Sequence, residues 1–219
     1  MKCLVGIPCL YGPGHTKEAI ESVANKKDTA VLLIDNGAER SVKELINNYA
    51  KKENVIVISN PENIYVNPAW NQIINCFLDS EFDYLMIMNS DLTLHDKWKE
   101  VIDKHFESNN SVPVPIISNN KEALSQKLQD GGTIEVFEGT PGVLIVLNKE
   151  QAKFIYPIPE TIKVWFGDNW IYEGLRRAGH KTVVLTNLIS YHSASQNVSR
   201  VEGISKIIEK DKVEWEKLK

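Results

Sequence analysis

Four short apolar runs, separated by stretches of helical periodicity, restrict the fold of this chain more tightly than any other feature. They are Leu4 to Ile7, Ala30 to Ile34, Val55 to Ile58 and Tyr84 to Met88. Each has the length of a strand and lacks polar alternation, the pattern of strands buried on both faces of a parallel sheet. Between the first two, Ala19, Ile20, Val23 and Ala24 share one face of a helix expected from about Thr16 to Asn25. Ser41-x-x-Glu44 reads as a capping box opening a second helix, whose Val42, Leu45, Ile46 and Tyr49 are spaced i, i+3, i+4, i+7. In the third, Asn67 is the expected N-cap and Pro68 the first-turn residue ahead of Ile73, Ile74 and Phe77. Parallel strands require such crossovers, so residues up to 91 predict a βαβαβαβ half with nucleotide-binding potential.

Beyond Asp91 the pattern loosens. Trp98, Val101, Ile102 and Phe106 mark a helix, and Val112 to Ile117 a strand that Pro113 and Pro115 confine to a sheet edge or an irregular segment. Thr133 to Phe137 and Gly142 to Leu147 read as strands, and Gly167 to Ala178 as a helix stopped by Gly179. A strand from Lys181 to Leu185, an extended piece to His192 and a helix from about Glu202 to Lys217 complete the reading.

A chain of 219 residues with 42% hydrophobic and 25% charged content can bury one full core. No apolar run approaches the roughly 20 residues of a membrane span, and Pro8 interrupts the N-terminal run before a signal-peptide core forms, so a cytoplasmic protein is expected. Cys3, Cys9 and Cys76 are odd in number and lack Cys-x-x-Cys spacing, which supports neither a disulfide framework nor a zinc site. Without a secretory context, Asn109-Asn110-Ser111 and Asn197-Val198-Ser199 are chance matches to the glycosylation sequon. A net charge of −4 argues against a surface built to grip nucleic-acid phosphates.

The strand ending at Met88 stops in Asn89-Ser90-Asp91, placing a carboxylate at the sheet edge where ligands bind in open α/β folds. There Asp91 can face a divalent cation and, through it, a diphosphate; the competing role is a turn or helix cap. Asp35 ends the second strand and can accept a hydrogen bond from a pyrimidine imide or a ribose hydroxyl, although Asp35-Asn36-Gly37 is also a strong turn sequence. The backbone after Pro8, through Cys9 to Gly14, is expected to line the base. Breaking a sugar–diphosphate bond develops negative charge that a metal ion neutralises, and attack by a hydroxyl needs one positioned base. His192, at the end of an extended piece near the same edge, is the second candidate metal ligand, and mixed oxygen and imidazole ligation favours Mn2+ over Mg2+. Asp168, at the start of a predicted helix, is the candidate base; its simpler role is an N-cap, and helix-end placement favours its anionic form. Trp165, Phe166 and Trp170 around it can form an apolar wall for a sugar ring or pack in the core.

Seven motifs in order resemble the family 2 glycosyltransferases of GT-A fold. They are Ile7-Pro8, Ile34-Asp35-Asn36-Gly37, Asn60-Pro61-Glu62-Asn63 leading to Ala69 and Asn71, Asn89-Ser90-Asp91, Phe166-Gly167-Asp168, Leu175-Arg176-Arg177-Ala178-Gly179, and Tyr191-His192. The resemblance covers about residues 2 to 195 and is strongest to the subgroup whose metal motif reads Asn-Pro-Asp. It implies a single α/β domain with a mixed, mostly parallel sheet flanked by helices, divided into a nucleotide-binding half (1–91), an acceptor half (92–199) and a C-terminal helix (200–219). It also implies metal-assisted transfer of a sugar from a nucleoside diphosphate sugar, read here as UDP-linked, to an acceptor hydroxyl with inversion. Pro8, Leu10, Asp35, Asn71, Asn89 and Ser90 are the expected donor-binding residues, Asp91 and His192 the ligands of Mn2+ or Mg2+, and Asp168 the base. The chain departs from the pattern at Asn89 in place of the first Asp, at Gly167 in place of Glu, at Trp170 in place of a third acid, and at Tyr65 where Gly is common.

Two other readings compete. A dinucleotide-binding oxidoreductase would use Gly12-x-Gly14 with Asp35, but its third glycine is Lys17. A non-catalytic nucleotide-sugar-binding protein is compatible with Asn89 and Gly167. The acceptor is a saccharide or another hydroxyl-bearing molecule, a hydroxymethylated base of phage DNA among them; residues 118–165, which would choose it, carry no readable motif.

Overall fold

The computed structural model describes residues 1–128, 130–137, 140–193 and 200–219. The sequon at Asn197 lies outside the described residues. Strands β1 (Cys3–Cys9), β2 (Thr29–Asn36), β3 (Val55–Asn60) and β4 (Tyr84–Met88) form the predicted parallel sheet in the order β3-β2-β1-β4, and β8 (Leu144–Asn148) adds antiparallel to β4. Helices α1 (Pro13–Ala24), α2 (Arg40–Tyr49) and α3 (Val66–Leu78) are the crossovers. A second sheet has β5 (Leu92–Leu94), β9 (Thr182–His192) and β6 (Val112–Ser118) in that order, with β7 (Thr133–Val136) also on β9. The proline-bearing β6 is at its edge, and its register shifts between Val114 and Ile116, as a strand lacking two backbone N–H donors requires. The strand at Lys181 and the extended piece to His192 are one continuous element, β9.

Two apolar layers enclose the first sheet. Cys3, Val5, Ile7 and Cys9 face α1, α2 and α4 (Trp98–Ser108). Leu4, Leu32 and Ile34 face α3, α5 (Lys149–Ile155) and α6 (Gly167–Arg177). Gly6 lets α3 close on the sheet, since a Cβ there would lie 2.3 Å from an Ile73 methyl. The last helix, α7 (Ile204–Leu218), packs Trp215 onto Phe166 at the entrance to α6.

Three helix starts differ from expectation. Helix α2 begins after Glu39 with no side-chain cap, so Ser41 and Glu44 make no capping box; the Glu39 carboxylate instead accepts the Gly12 N–H and pairs with Arg200. Helix α3 begins after Tyr65, and Asn67 is buried within it, its amide donating to the Ile162 and Trp165 carbonyls. Helix α6 begins after Phe166, which leaves Asp168 inside the first turn and not at the N-cap.

Candidate functional site

A cavity of about 500 Å³ opens at the carboxyl ends of β1 and β4, where the strand order reverses. That is the topological switch point at which open α/β sheets bind ligands, and the volume suits a small-molecule site. Of the residues expected from sequence, Pro8, Leu10, Asn89, Ser90, Asp91, Asp168 and His192 line it together. Asp35 and Asn71 do not. Asp35 Oδ1 accepts the Ala38 N–H at 2.8 Å, the turn-forming alternative. Asn71 pairs both carboxamide atoms with the Ile158 backbone at 2.9 Å, on the side of α3 facing the segment after α5.

Strand β4 ends in a turn in which Asn89 O accepts the Leu92 N–H, and the chain then returns as β5 against the end of β9. Leu92 pairs with His192 in that ladder, which carries the imidazole to Asp91: Nε2 lies 3.2 Å from Oδ1. Asp91 is only 7% exposed. The two groups are hydrogen-bonded to each other, and a carboxylate oxygen and an imidazole nitrogen this close are a pair that one divalent ion could share. Among the described residues no group of three His, Cys, Asp or Glu could hold a metal. Any ion held here would therefore have only these two side chains as ligands among such residues and would need others from outside them.

Asp168, which lines the same cavity, accepts the Gly142 N–H on Oδ2 at 3.1 Å and the Asn169 N–H on Oδ1 at 2.9 Å. Burial pushes its carboxyl above the usual aspartate value, and those N–H groups only partly oppose the shift. The helix-end argument alone predicted the reverse; desolvation outweighs it. A Cβ at Gly142 would lie 2.7 Å from Asp168 Cβ and 3.0 Å from the Trp70 ring, so only glycine admits the carboxylate here.

Several lining residues were not among the expected site residues, although Asn36 and Asn63 fall within two of the motifs. Asn36 and Asn63 line the cavity within a carboxamide network: Asn36 donates to Asn63 Oδ1 and to the Tyr65 carbonyl, and accepts from Asn60 and from the Ile64 N–H. Asn36 ends β2 and Asn63 lies in the segment that follows β3. Trp70, Gly142 and Asn169 also line the cavity, as do Val201 and Ile204 beside α7. Tyr65 has φ 71 and ψ −178, a backbone region essentially restricted to glycine, and Phe166 has φ 65. Both strained residues begin helices that frame the cavity. Arg200 lies 4.2 Å over the Tyr11 ring and 2.8 Å from Glu39, tying the C-terminal segment to the loop after β1.

Residues 5–157 match the sequence profile described as glycosyl transferase family 2, more than half of the chain. The chain belongs to that family. Its fold is GT-A, and it is similar to solved glycosyltransferase structures. One is GalNAc-T7 with UDP, GalNAc and Mn2+, at 13% identity and TM-score 0.68 over 99% of this chain and 49% of that one. Another is S. aureus TarS 1-349 in complex with UDP, at 14% identity and TM-score 0.68 over 98% and 65%. A third is the mannosyltransferase PcManGT from Pyrobaculum calidifontis in complex with GDP-Man and Mn2+, at 8% identity and TM-score 0.68 over 90% and 58%. This family 2 chain thus spans between half and two thirds of the length of those structures. No curated protein matches it. No helix among the described residues is long and apolar enough to cross a membrane.

Proposed function

We propose that this chain transfers a sugar from a nucleoside diphosphate sugar, with UDP as the carrier, to a hydroxyl of a saccharide acceptor, inverting the anomeric carbon. The observation that carries the reading is that the hydrogen-bonded Asp91 and His192 line the same cavity as Asp168. Family membership supports transfer chemistry, and two of the similar structures contain UDP.

The Asp91 carboxylate and the His192 imidazole would hold Mn2+ or Mg2+ together with the diphosphate. Bound there, the ion acts as a Lewis acid on the charge that develops when the sugar–phosphate bond breaks. Asn89 and Ser90 lie beside Asp91 to meet donor hydroxyls, and Pro8 and Leu10 form the edge on which the nucleoside rests. Asp168 takes the proton of the acceptor hydroxyl as its oxygen bonds to the anomeric carbon, and the diphosphate leaves with the electron pair of the broken bond. Its raised proton affinity makes it a stronger base than an ordinary aspartate. Trp165, 44% exposed at the cavity wall, and Phe166 beside it offer the apolar surface that a sugar ring stacks on, which favours a saccharide acceptor. The net charge of −4 gives no support to a DNA acceptor.

The test is a panel of UDP-sugars with Mn2+ and a saccharide library, read as UDP release and as product mass. The reading predicts Mn2+-dependent UDP release from one donor and a product of inverted configuration by NMR. Tight UDP binding without any release would leave a nucleotide-sugar-binding protein.

A further inference from the structure

The family match ends at residue 157, yet the segment that delivers Asp168 is built by residues beyond it. Asp211, on α7, is 1% exposed. Its Oδ1 accepts the Lys163 N–H at 2.9 Å, and its Oδ2 accepts the Val164 and Trp165 N–H groups at 2.7 and 2.9 Å. Three backbone donors on one buried carboxylate compensate its desolvation, and no ion pair among the described residues does so. The opposite side of the same segment is held by Asn67: its amide donates to the Ile162 and Trp165 carbonyls, and its backbone N–H to the Lys163 carbonyl at 2.9 Å. The N–H groups of 163–165 thus meet α7, and the carbonyls of Ile162, Lys163 and Trp165 meet Asn67 on α3.

Immediately after this clamp comes Phe166, a bulky residue at φ 65 whose ring stacks on Trp215 of α7, centroids 5.4 Å apart and planes at 5°. A left-handed phenylalanine persists only where its surroundings over-determine it. Asp211 and Trp215, one helical turn apart, supply that determination. Two residues later Asp168 meets the Gly142 N–H.

We propose that Asp211 is a positioning residue for the transfer reaction: its carboxylate fixes the 163–165 backbone so that Phe166 starts α6 in the left-handed conformation and Asp168 enters the cavity. The functional part of this inference rests on Asp168 being the base. The simpler role for Asp211 is to tether α7, and the two roles make different predictions.

Asp211→Asn keeps the shape but turns an amide toward one of the three N–H donors. In that variant the Asp168 carboxyl, followed by 13C NMR in the free protein, moves back toward the ordinary aspartate value as the segment loosens and water reaches it. Tyr172 on the same helix and, in the same cavity, Asp91 and His192 are the ionisable groups whose titrations are followed in the same series. UDP affinity in the presence of Mn2+ stays within about twofold, while turnover of the UDP-sugar falls on the order of 10²-fold, the loss typical of a misplaced catalytic group. An unchanged Asp168 titration with unchanged turnover, whatever the melting temperature, would reduce Asp211 to a tether. If the variant does not fold, hydrogen exchange on the parent decides: the amides of Lys163, Val164 and Trp165 exchange as slowly as those of β4, and exchange at exposed-loop rates overturns the clamp. Failure of the base reading is separately visible, because Asp168→Asn would then retain turnover while the exchange and titration results stood.

Discussion

Asp168 shows two environments acting on one side chain. Its sequence position, at the start of a helix, pulls toward the anion; its burial pulls toward the acid, and burial wins. A carboxyl whose folded value is raised contributes stability that is complete below the unfolded value and is lost as pH rises through the folded one. Replacement by Asn removes the group that ionises. Thermal melts from pH 4 to 8 should therefore show the parent losing stability over the window just above the ordinary aspartate value and Asp168→Asn lacking that loss. Turnover in the same variant should fall on the order of 10²–10⁴-fold as the base is removed; near-parental turnover would move the base elsewhere. Tyr65 carries a second residue-scale prediction. Its φ 71, ψ −178 backbone belongs to glycine and costs about 1–3 kcal/mol in any other residue, yet its side chain lines the cavity. Tyr65→Gly should melt no lower than the parent while binding UDP more weakly; a lower melting temperature with intact binding would contradict the assignment of strain to function. Sequence made Asp91 and His192 visible because each ends an apolar or extended run. It hid Trp70 and Gly142, whose importance is a matter of where a ring edge and a missing Cβ meet in space.

Elements explain why the first half of the chain was the more legible. Strands β1, β2 and β4 are buried on both faces, so their apolar runs are continuous, and α1 to α3 between the strands must show one apolar stripe each; β3, expected to be buried likewise, is the sheet edge and leaves Ile56 49% exposed. The starts of α2, α3 and α6 were less legible, because Glu39, Tyr65 and Phe166 replace side-chain caps with backbone geometry and tertiary contacts. The second sheet was harder again: β6 carries two prolines and β7 is mostly exposed, so neither has a clean period. The junction of β8 and α6 carries a prediction of its own. The segment before β8 passes Asp168 with only hydrogen at Gly142 Cα, and a methyl there must displace Asp168 or Trp70. Gly142→Ala should cost about 1–3 kcal/mol of stability by overpacking and depress turnover more than UDP binding. Wild-type turnover in a denaturant-stable variant would show that the close approach has no role in the reaction.

At the scale of the molecule, the reversal of strand order between β1 and β4 places the cavity, and the return of β9 beside β5 brings a residue from position 192 to one at position 91. Alternation of strands and helices foretold the first fact. The second depends on a long-range pairing that no local pattern specifies, and the contribution of α7 through Val201, Ile204 and Asp211 lies outside any motif. In the proposed site Asp91 and His192 would share one divalent ion with the diphosphate of the donor. Calorimetric titration of UDP into the parent, Asp91→Ala and His192→Ala, each with and without Mn2+, tests it most directly. The account predicts that Mn2+ strengthens UDP binding to the parent and that each substitution abolishes the Mn2+-dependent part while the protein stays folded. Unchanged Mn2+-dependent affinity in both variants would contradict it.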